Sequence, residues 1–339
     1  MRLSAIGDVC HAVAMVRRIQ AGWPETEITW VIGKIEYQLV RNLENIQFVI
    51  FDKKEGKVAV NKLREYFGDK KFDALLMMQV AFRANWVSRV IKADVRLGFD
   101  WARSKELHWL FANKRVAAHP QAHVLEGFMD FADALGVPPV EALSWNIPID
   151  DAATQWAEQR ADEWGKFVVI SPAASKAERN WLAERYAHIA DYVAQKGYCV
   201  VLCGGPAQLD RDTANAILAH TNTPLNLVGE TNLHQLLAVL KRAQFVIAPD
   251  TGPAHMATTV GTPVIGLYAH SNPRRTGPYL SQHLVASVYE QCIEAETGKS
   301  WQQQKWGIRA HGKELMAQIS VEQVKAKVDQ VLVNLQQAG

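Results

Sequence analysis

Two short stretches hold the residues best suited to chemistry. In Leu3-Ser4-Ala5-Ile6-Gly7-Asp8-Val9 a carboxylate sits at a helix start, where backbone amides favour its ionised form. Asp8 reads either as a plain N-cap or as a base aimed at an acceptor hydroxyl. The second stretch runs from Phe245 through Ala248-Pro249-Asp250-Thr251-Gly252-Pro253-Ala254-His255 to Met256. It reads as a buried strand, an abrupt turn and the first turn of a helix, with Gly252 allowing the turn and Pro253 suiting the first helical position. Amides of such a helix start point into the crevice at the carboxyl ends of parallel strands, where phosphates bind. An ordinary strand-to-helix connection is the plainer reading. Two similar turns, Ser171-Pro172-Ala173-Ala174-Ser175 and Gly204-Gly205-Pro206, also follow apolar runs. Three turns on one sheet edge suit a nucleotide diphosphate, which needs several close backbone approaches.

Neither a Walker A motif nor a G-x-G-x-x-G fingerprint occurs, which disfavours P-loop and ordinary dinucleotide enzymes. Asp210-Arg211-Asp212 falls in a predicted helix, where residues two apart do not face each other; it reads as a solvated helix start rather than a metal-binding pair. No metal or other cofactor is expected. A pyrophosphate would then be neutralised by helix starts and cations, with Lys176, Arg179, Arg274 and Arg275 as candidates.

The elements that must position these residues alternate in βαβ fashion, which predicts an α/β chain with mostly parallel sheets covered by helices. In the first half, strands are expected over 28–32, 48–51, 74–78 and 95–99, and helices over 37–42, 58–67, 84–91 and 124–135. A further helix follows Asp8, with Ala12, Met15, Val16 and Ile19 at helical spacing. A turn like Ser4–Asp8 ought to follow a buried strand, yet only Met1, Arg2 and Leu3 precede it. The expectation is that the sequence begins downstream of the true start, without its first central strand. In the second half, strands are expected over 167–170, 199–203, 225–228, 245–248 and 263–268, with helices between them. Gly136-Val137-Pro138-Pro139 and Asn146-Ile147-Pro148 mark the boundary, giving domains 1–150 and 151–319. A final helix over 320–339 carries one apolar stripe, Val321, Val324, Val328, Val331 and Leu335; it could complete either domain, and two stacked α/β domains often use such a helix to cross back onto the first.

Length and composition agree with two soluble globular domains: 339 residues, 48% hydrophobic and 21% charged. A net charge of +2 does not indicate nucleic acid. Four scattered cysteines without C-x-x-C spacing fit a reducing compartment and no zinc site. No segment approaches the roughly 20 apolar residues of a membrane span, and no signal peptide is evident. Eleven tryptophans are many for this length, and some could form a rim that touches lipid.

Taken together these motifs are identified with a known family. The chain resembles the ADP-heptose:lipopolysaccharide heptosyltransferases of glycosyltransferase family 9. The likeness runs through Arg2–Val9 with His11, Ser171–Ser175 with Arg179-Asn180-Trp181, Gly204-Gly205-Pro206, Asp250–His255 and Asn272–Pro278. It implies a GT-B fold of two Rossmann-like domains facing across a cleft, the first for the acceptor and the second for the nucleotide sugar. It also implies inverting, metal-independent transfer of heptose from an ADP-heptose donor to a lipid-A-linked core oligosaccharide. The work would take place in the cytoplasm, with peripheral contact at the inner face of the inner membrane.

By the same resemblance Asp8 is the catalytic base. Ser175, Arg179, Asp250, Thr251, Gly252, Pro253 and His255 bind the donor, and Ser4, Gln79 and Arg83 face the acceptor. Asp250 would be repelled by a pyrophosphate, so it reads sugar hydroxyls or fixes the turn. His255 is equally readable as a satisfied core histidine. Arg179 stands where many members have Lys, and the segment Met77–Arg83 keeps the Gln and a cation but lacks the flanking Asp and Gly. Two alternatives remain at this stage: a related transferase using another nucleotide sugar, and a non-catalytic two-domain binding protein.

Overall fold

A computed structural model describes residues 1–338, and the chain divides at Pro148 into two units. In the first unit the elements are α1 (Ile6–Gly22), β1 (Ile28–Gly33), α2 (Lys34–Val40), β2 (Ile46–Phe51), α3 (Lys57–Phe67), β3 (Lys71–Leu76), α4 (Phe82–Ser88), β4 (Lys92–Gly98), β5 (Lys114–Arg115) and α5 (Val124–Leu135). The second unit continues with α6 (Asp151–Trp164), β6 (Phe167–Ile170), α7 (Ala183–Gln195), β7 (Cys199–Leu202), α8 (Gln208–Leu218), β8 (Leu225–Asn226), α9 (Leu233–Arg242), β9 (Val246–Pro249), α10 (Gly252–Thr259), β10 (Val264–Tyr268), α11 (Pro273–Thr276), β11 (Ala286–Ser287), α12 (Tyr289–Thr297) and α13 (Val321–Ala338).

The sheet of the second unit is fully parallel, in the order β11-β10-β9-β6-β7-β8. In chain order this is the 3-2-1-4-5-6 arrangement of a dinucleotide-binding fold, and its direction reverses between β6 and β9. Every residue of β6, β9 and β10 is buried, because helices cover both faces; this is why those strands are unbroken apolar runs rather than alternating ones.

In the first unit, β1 pairs with β2 and β3-β4-β5 form a second parallel set. Met1–Leu3 lies between them. The Arg2 amide donates to the Val31 carbonyl at 3.2 Å and the Leu3 carbonyl accepts from Gly33 at 2.9 Å. On the other side the Met1 ammonium donates to the Leu76 carbonyl at 2.7 Å, and Met78 N–H to the Met1 carbonyl at 3.2 Å. With Met1–Leu3 counted in place, this unit repeats the order of the other. Asp8 then follows the central position as Ser171 follows β6.

The apolar stripe of α13 is filled within the second unit. Val324, Val328, Val331 and Leu332 join the same buried cluster as Val168, Val200 and Ile265. Of the two domains this helix could complete, its stripe is filled by the second: β10, β11 and α7 supply the apolar surface it requires. The strand expected over 74–78 forms over Lys71–Leu76, where Lys71 and Asp73 face solvent.

Candidate functional site

The turn after β9 lies at the switch point of the second unit. Its Asp250 side chain is only 12% exposed, yet it is surrounded by donors. Arg179 Nη1 lies 3.4 Å from Asp250 Oδ2 and donates to the Asp250 carbonyl at 3.2 Å. His255 Nε2 lies 3.6 Å from Oδ1, and the Thr276 hydroxyl donates to Oδ2 at 3.5 Å. Burial alone would raise the Asp250 carboxyl. Hydrogen bonding from His255, the charges of Arg179 and His255, and Ser271 outweigh it and hold the carboxyl below its ordinary value. His255 is thus buried and also part of the charged cluster.

Around this carboxylate several polar atoms are buried without a partner: Ser171 Oγ at the end of β6, Thr251 Oγ1 at the start of α10, and Arg179 Nε. Buried polar groups are ordinarily satisfied, so an orphaned set at a strand-end crevice is what an oxygen-rich ligand would complete. Thr251 occupies the N-cap of α10 without capping it, which leaves first-turn amides of the helix available. Gly252 is not left-handed; it is the first helical residue, and Pro253 follows in the first turn. A small cavity opens beside Asp250, lined by Ser271, Arg275, Thr276 and Arg309 among others.

The cations sort differently from expectation. Arg274 is held by Glu290 and lies 4.3 Å over the Trp301 ring. Lys176 and Ser175 are exposed on the loop after β6, where the Lys176 carbonyl accepts from the Arg179 amide at 3.0 Å. Arg275 lines the cavity, and so does Arg309, which sequence reasoning missed. His270 and Ser271 were missed as well. Both follow β10 as Asp250 follows β9, so the strand-end rule applied once more would have found them. His270 Nδ1 lies 2.7 Å from the Ala310 carbonyl, while its Nε2 is buried without a partner. Burial, chiefly, lowers its pKa, favouring the neutral ring.

Gly204-Gly205-Pro206 does end β7 at the same sheet edge, but its anion site is already occupied from within. Asp210 Oδ1 accepts from the Gly205 amide at 2.8 Å. The carboxylate is half-buried, and that desolvation raises its pKa despite the backbone bonds. The reading of Asp210 as a solvated residue is therefore corrected. Asp210→Ala should cost about 1 kcal/mol in unfolding free energy while leaving ADP affinity unchanged within about two-fold; thermal melts and calorimetric titration check both.

In the first unit Asp8 is the third residue of α1 and reaches back to the Ala5 amide at 3.3 Å. It also forms an ion pair with Arg2. Arg2 in turn donates to the Met78 carbonyl at 2.5 Å, and the Leu3 amide donates to Gln79 Oε1 at 2.9 Å. Asp8, Arg2 and Gln79 are thus gathered at the end of Met1–Leu3, with Ser4 between them in sequence and half-buried. Arg83 is exposed in the first turn of α4 and has no bond to this group. Among the described residues, no three His, Cys, Asp or Glu side chains are placed to hold a metal ion.

Two units of this strand order are the parts of a GT-B fold. Residues 60–306 match the model of glycosyltransferase family 9 (heptosyltransferase), and the chain belongs to that family. It is 45% identical to the lipopolysaccharide core heptosyltransferase OpsX of Haemophilus influenzae, over 96% of this chain and 93% of that protein. In fold it is similar to a family 9 glycosyl transferase from Veillonella parvula, with TM-score 0.79 and 23% identity, covering 98% and 95% of the two chains. It is also similar to the Escherichia coli heptosyltransferase WaaC solved with ADP, with TM-score 0.76 and 20% identity, covering 98% and 100%. Membership makes the chain an enzyme, a glycosyltransferase, and removes the non-catalytic alternative. Among the described residues no helix is long and apolar enough to cross a membrane.

Proposed function

We propose that this enzyme transfers heptose from ADP-L-glycero-D-manno-heptose to the inner core of lipopolysaccharide, inverting the anomeric centre without a metal. The observation that carries the donor half is the cluster at the β6/β9 switch: a buried carboxylate ringed by Arg179 and His255, with the Ser171 and Thr251 hydroxyls lacking partners. The likeness to a core heptosyltransferase and to a structure solved with ADP supports the same assignment.

In this reading the first unit takes the acceptor and the second the donor. Asp8 accepts the proton of the acceptor hydroxyl as that oxygen bonds to heptose C1. The bond from C1 to the phosphate oxygen breaks, and its electrons leave with ADP. Arg179, Arg275 and Arg309 and the first amides of α10 stabilise the charge on the departing diphosphate. Asp250 keeps Arg179 and His255 in place, and its own charge is balanced by them.

Thermal stabilisation tests the donor. ADP-heptose should raise the melting temperature more than ADP-glucose, and both more than UDP-hexoses, at equal concentrations. Equal or larger shifts with a UDP-hexose would assign a different nucleotide sugar. Transfer to defined core acceptors, followed by mass spectrometry, then tests the reaction itself.

A further inference from the structure

Away from the two charged loops, the most unusual surface of the first unit lies between Phe82 and Arg115. Of the fourteen large apolar side chains that stand exposed among the described residues, six fall here: Phe82, Trp86, Trp101, Leu107, Trp109 and Leu110. Trp101 is 64% exposed and Leu110 58%. Single exposed apolar residues need no explanation, but a contiguous set does.

These residues form one surface. Phe82 stacks on Trp86 with ring centroids 6.2 Å apart and meets Phe111 edge-on at 6.2 Å. The Phe82 amide is held by Glu106 Oε2 at 2.6 Å, which ties the start of α4 to the loop carrying Leu107 and Trp109. Trp101 and Trp109 lie 5.9 Å apart. That loop turns on two consecutive left-handed residues, Glu106 at φ 50° and Leu107 at φ 60°. Neither is a glycine, so the turn that turns Leu107 to solvent is held against its backbone preference.

Cations frame the patch. Arg89 lies 4.6 Å over the Trp86 ring and Arg115 4.1 Å over the Trp101 ring. Residues 82–115 contain eight Lys and Arg against three Asp and Glu. Arg103 is turned inward to Asp100 and Asp130, and Lys92 pairs with Asp69. Arg83, Arg89 and Lys105 carry no acidic partner among the described residues, and Arg115 has none either, although its Nη2 donates to the Trp109 carbonyl at 3.3 Å.

The geometry points to a membrane-docking face on the first unit, in which these aromatic side chains enter the headgroup region of an anionic phospholipid surface. Tryptophan is suited to that boundary because its ring is apolar and its N–H polar. Unpaired arginines stacked on the same rings meet the lipid phosphates at the same depth. A second copy of this chain fits less well, since a two-fold contact through the patch would set its unpaired arginines against one another. The inference rests on the proposed reading only in that a lipid-linked acceptor gives the docking a purpose.

The test is co-sedimentation of the full chain with vesicles of phosphatidylcholine alone or mixed with phosphatidylglycerol. Binding to the anionic vesicles should be at least about ten-fold tighter and should weaken as salt is added. Trp86→Ser, Trp101→Ser and Trp109→Ser combined, and separately Arg89→Glu with Arg115→Glu, should each reduce it by about ten-fold or more. The arginine pair keeps the test decisive if the triple variant melts early. Absence of vesicle binding by the wild type, or undiminished binding by the arginine variant, overturns the inference. So does a concentration-dependent dimer that the arginine variant abolishes. Transfer to a water-soluble, deacylated acceptor should be equal in wild type and variants. If the wild type binds vesicles as described but transfers nothing, the proposed reaction fails and the docking face stands.

Discussion

Asp8→Asn should lower the rate of heptose transfer by roughly two to four orders of magnitude, the range expected for loss of a general base, with ADP affinity unchanged. The substitution isolates the chemistry well. Asn retains a side-chain oxygen that can accept from the Ala5 amide, so the start of α1 keeps its cap. What disappears is the charge that pairs with Arg2 and the capacity to take a proton. Steady-state kcat with saturating donor is the direct measurement, with calorimetric ADP titration beside it. Turnover within about ten-fold of wild type would remove Asp8 from the mechanism and leave it with the structural role its place in the first turn gives it, holding the amide of the N-cap Ala5; it is not itself the N-cap that the sequence suggested. Arg2→Ala separates the two roles further. If Arg2 only orients the carboxylate, its loss should lower kcat less than Asp8→Asn does.

The second large effect is expected at Asp250. Removing the carboxylate in Asp250→Ala leaves Arg179 and His255 buried without their counter-charge, at a cost of about 3 kcal/mol. For a unit of this size that is a fall in melting temperature of roughly ten degrees. The sign of the pH dependence follows from the depressed carboxyl. Its stabilisation is complete above the ordinary carboxylate value and is lost as pH falls through the lower folded-state value. The wild type should therefore lose stability steeply below about pH 4, and Asp250→Asn should flatten that limb. Denaturant melts at a series of pH values read both. Arg179→Ala completes the comparison. It should weaken ADP binding roughly thirty-fold, the effect of losing one charged hydrogen bond. A stability loss with unchanged ADP affinity would make Arg179 a support for Asp250 and no more.

Much of this frame is legible in the residues themselves. The strand at Phe167–Ile170 and the helix at Val124–Leu135 form where the apolar spacing places them, because buried parallel strands and amphipathic helices carry strong periodic signals. The turns after β6, β7 and β9 do share one edge, since a parallel sheet leaves their ends no other place. The partners of individual side chains were less legible. Nothing in the spacing of Asp210 shows that it folds back onto the Gly205 amide, and nothing in Arg274-Arg275 shows which of two adjacent arginines turns to Glu290. Such choices depend on contacts between residues far apart in sequence. Arg309 escaped notice for the same reason, lying on a connecting segment with no motif of its own. The helix at Tyr289–Thr297 was not foreseen either; its Glu290, Glu294 and Glu296 leave only a weak apolar stripe.

The order of strands in the second unit also bears on how the enzyme acquires its proposed donor site during folding. β6 and β9 are neighbours in the sheet, with Val169 opposite Val246, although about eighty residues of chain separate them. The parallel β6–β7 and β9–β10 pairs, each joined through one helix, close much shorter connections and can form first. The seam that brings Ser171 and Arg179 to Asp250 is therefore the slow, entropically demanding step. ADP cannot assist the early nucleus of this unit; it can only trap the last joining, so added nucleotide should slow unfolding while leaving the main refolding rate unaltered.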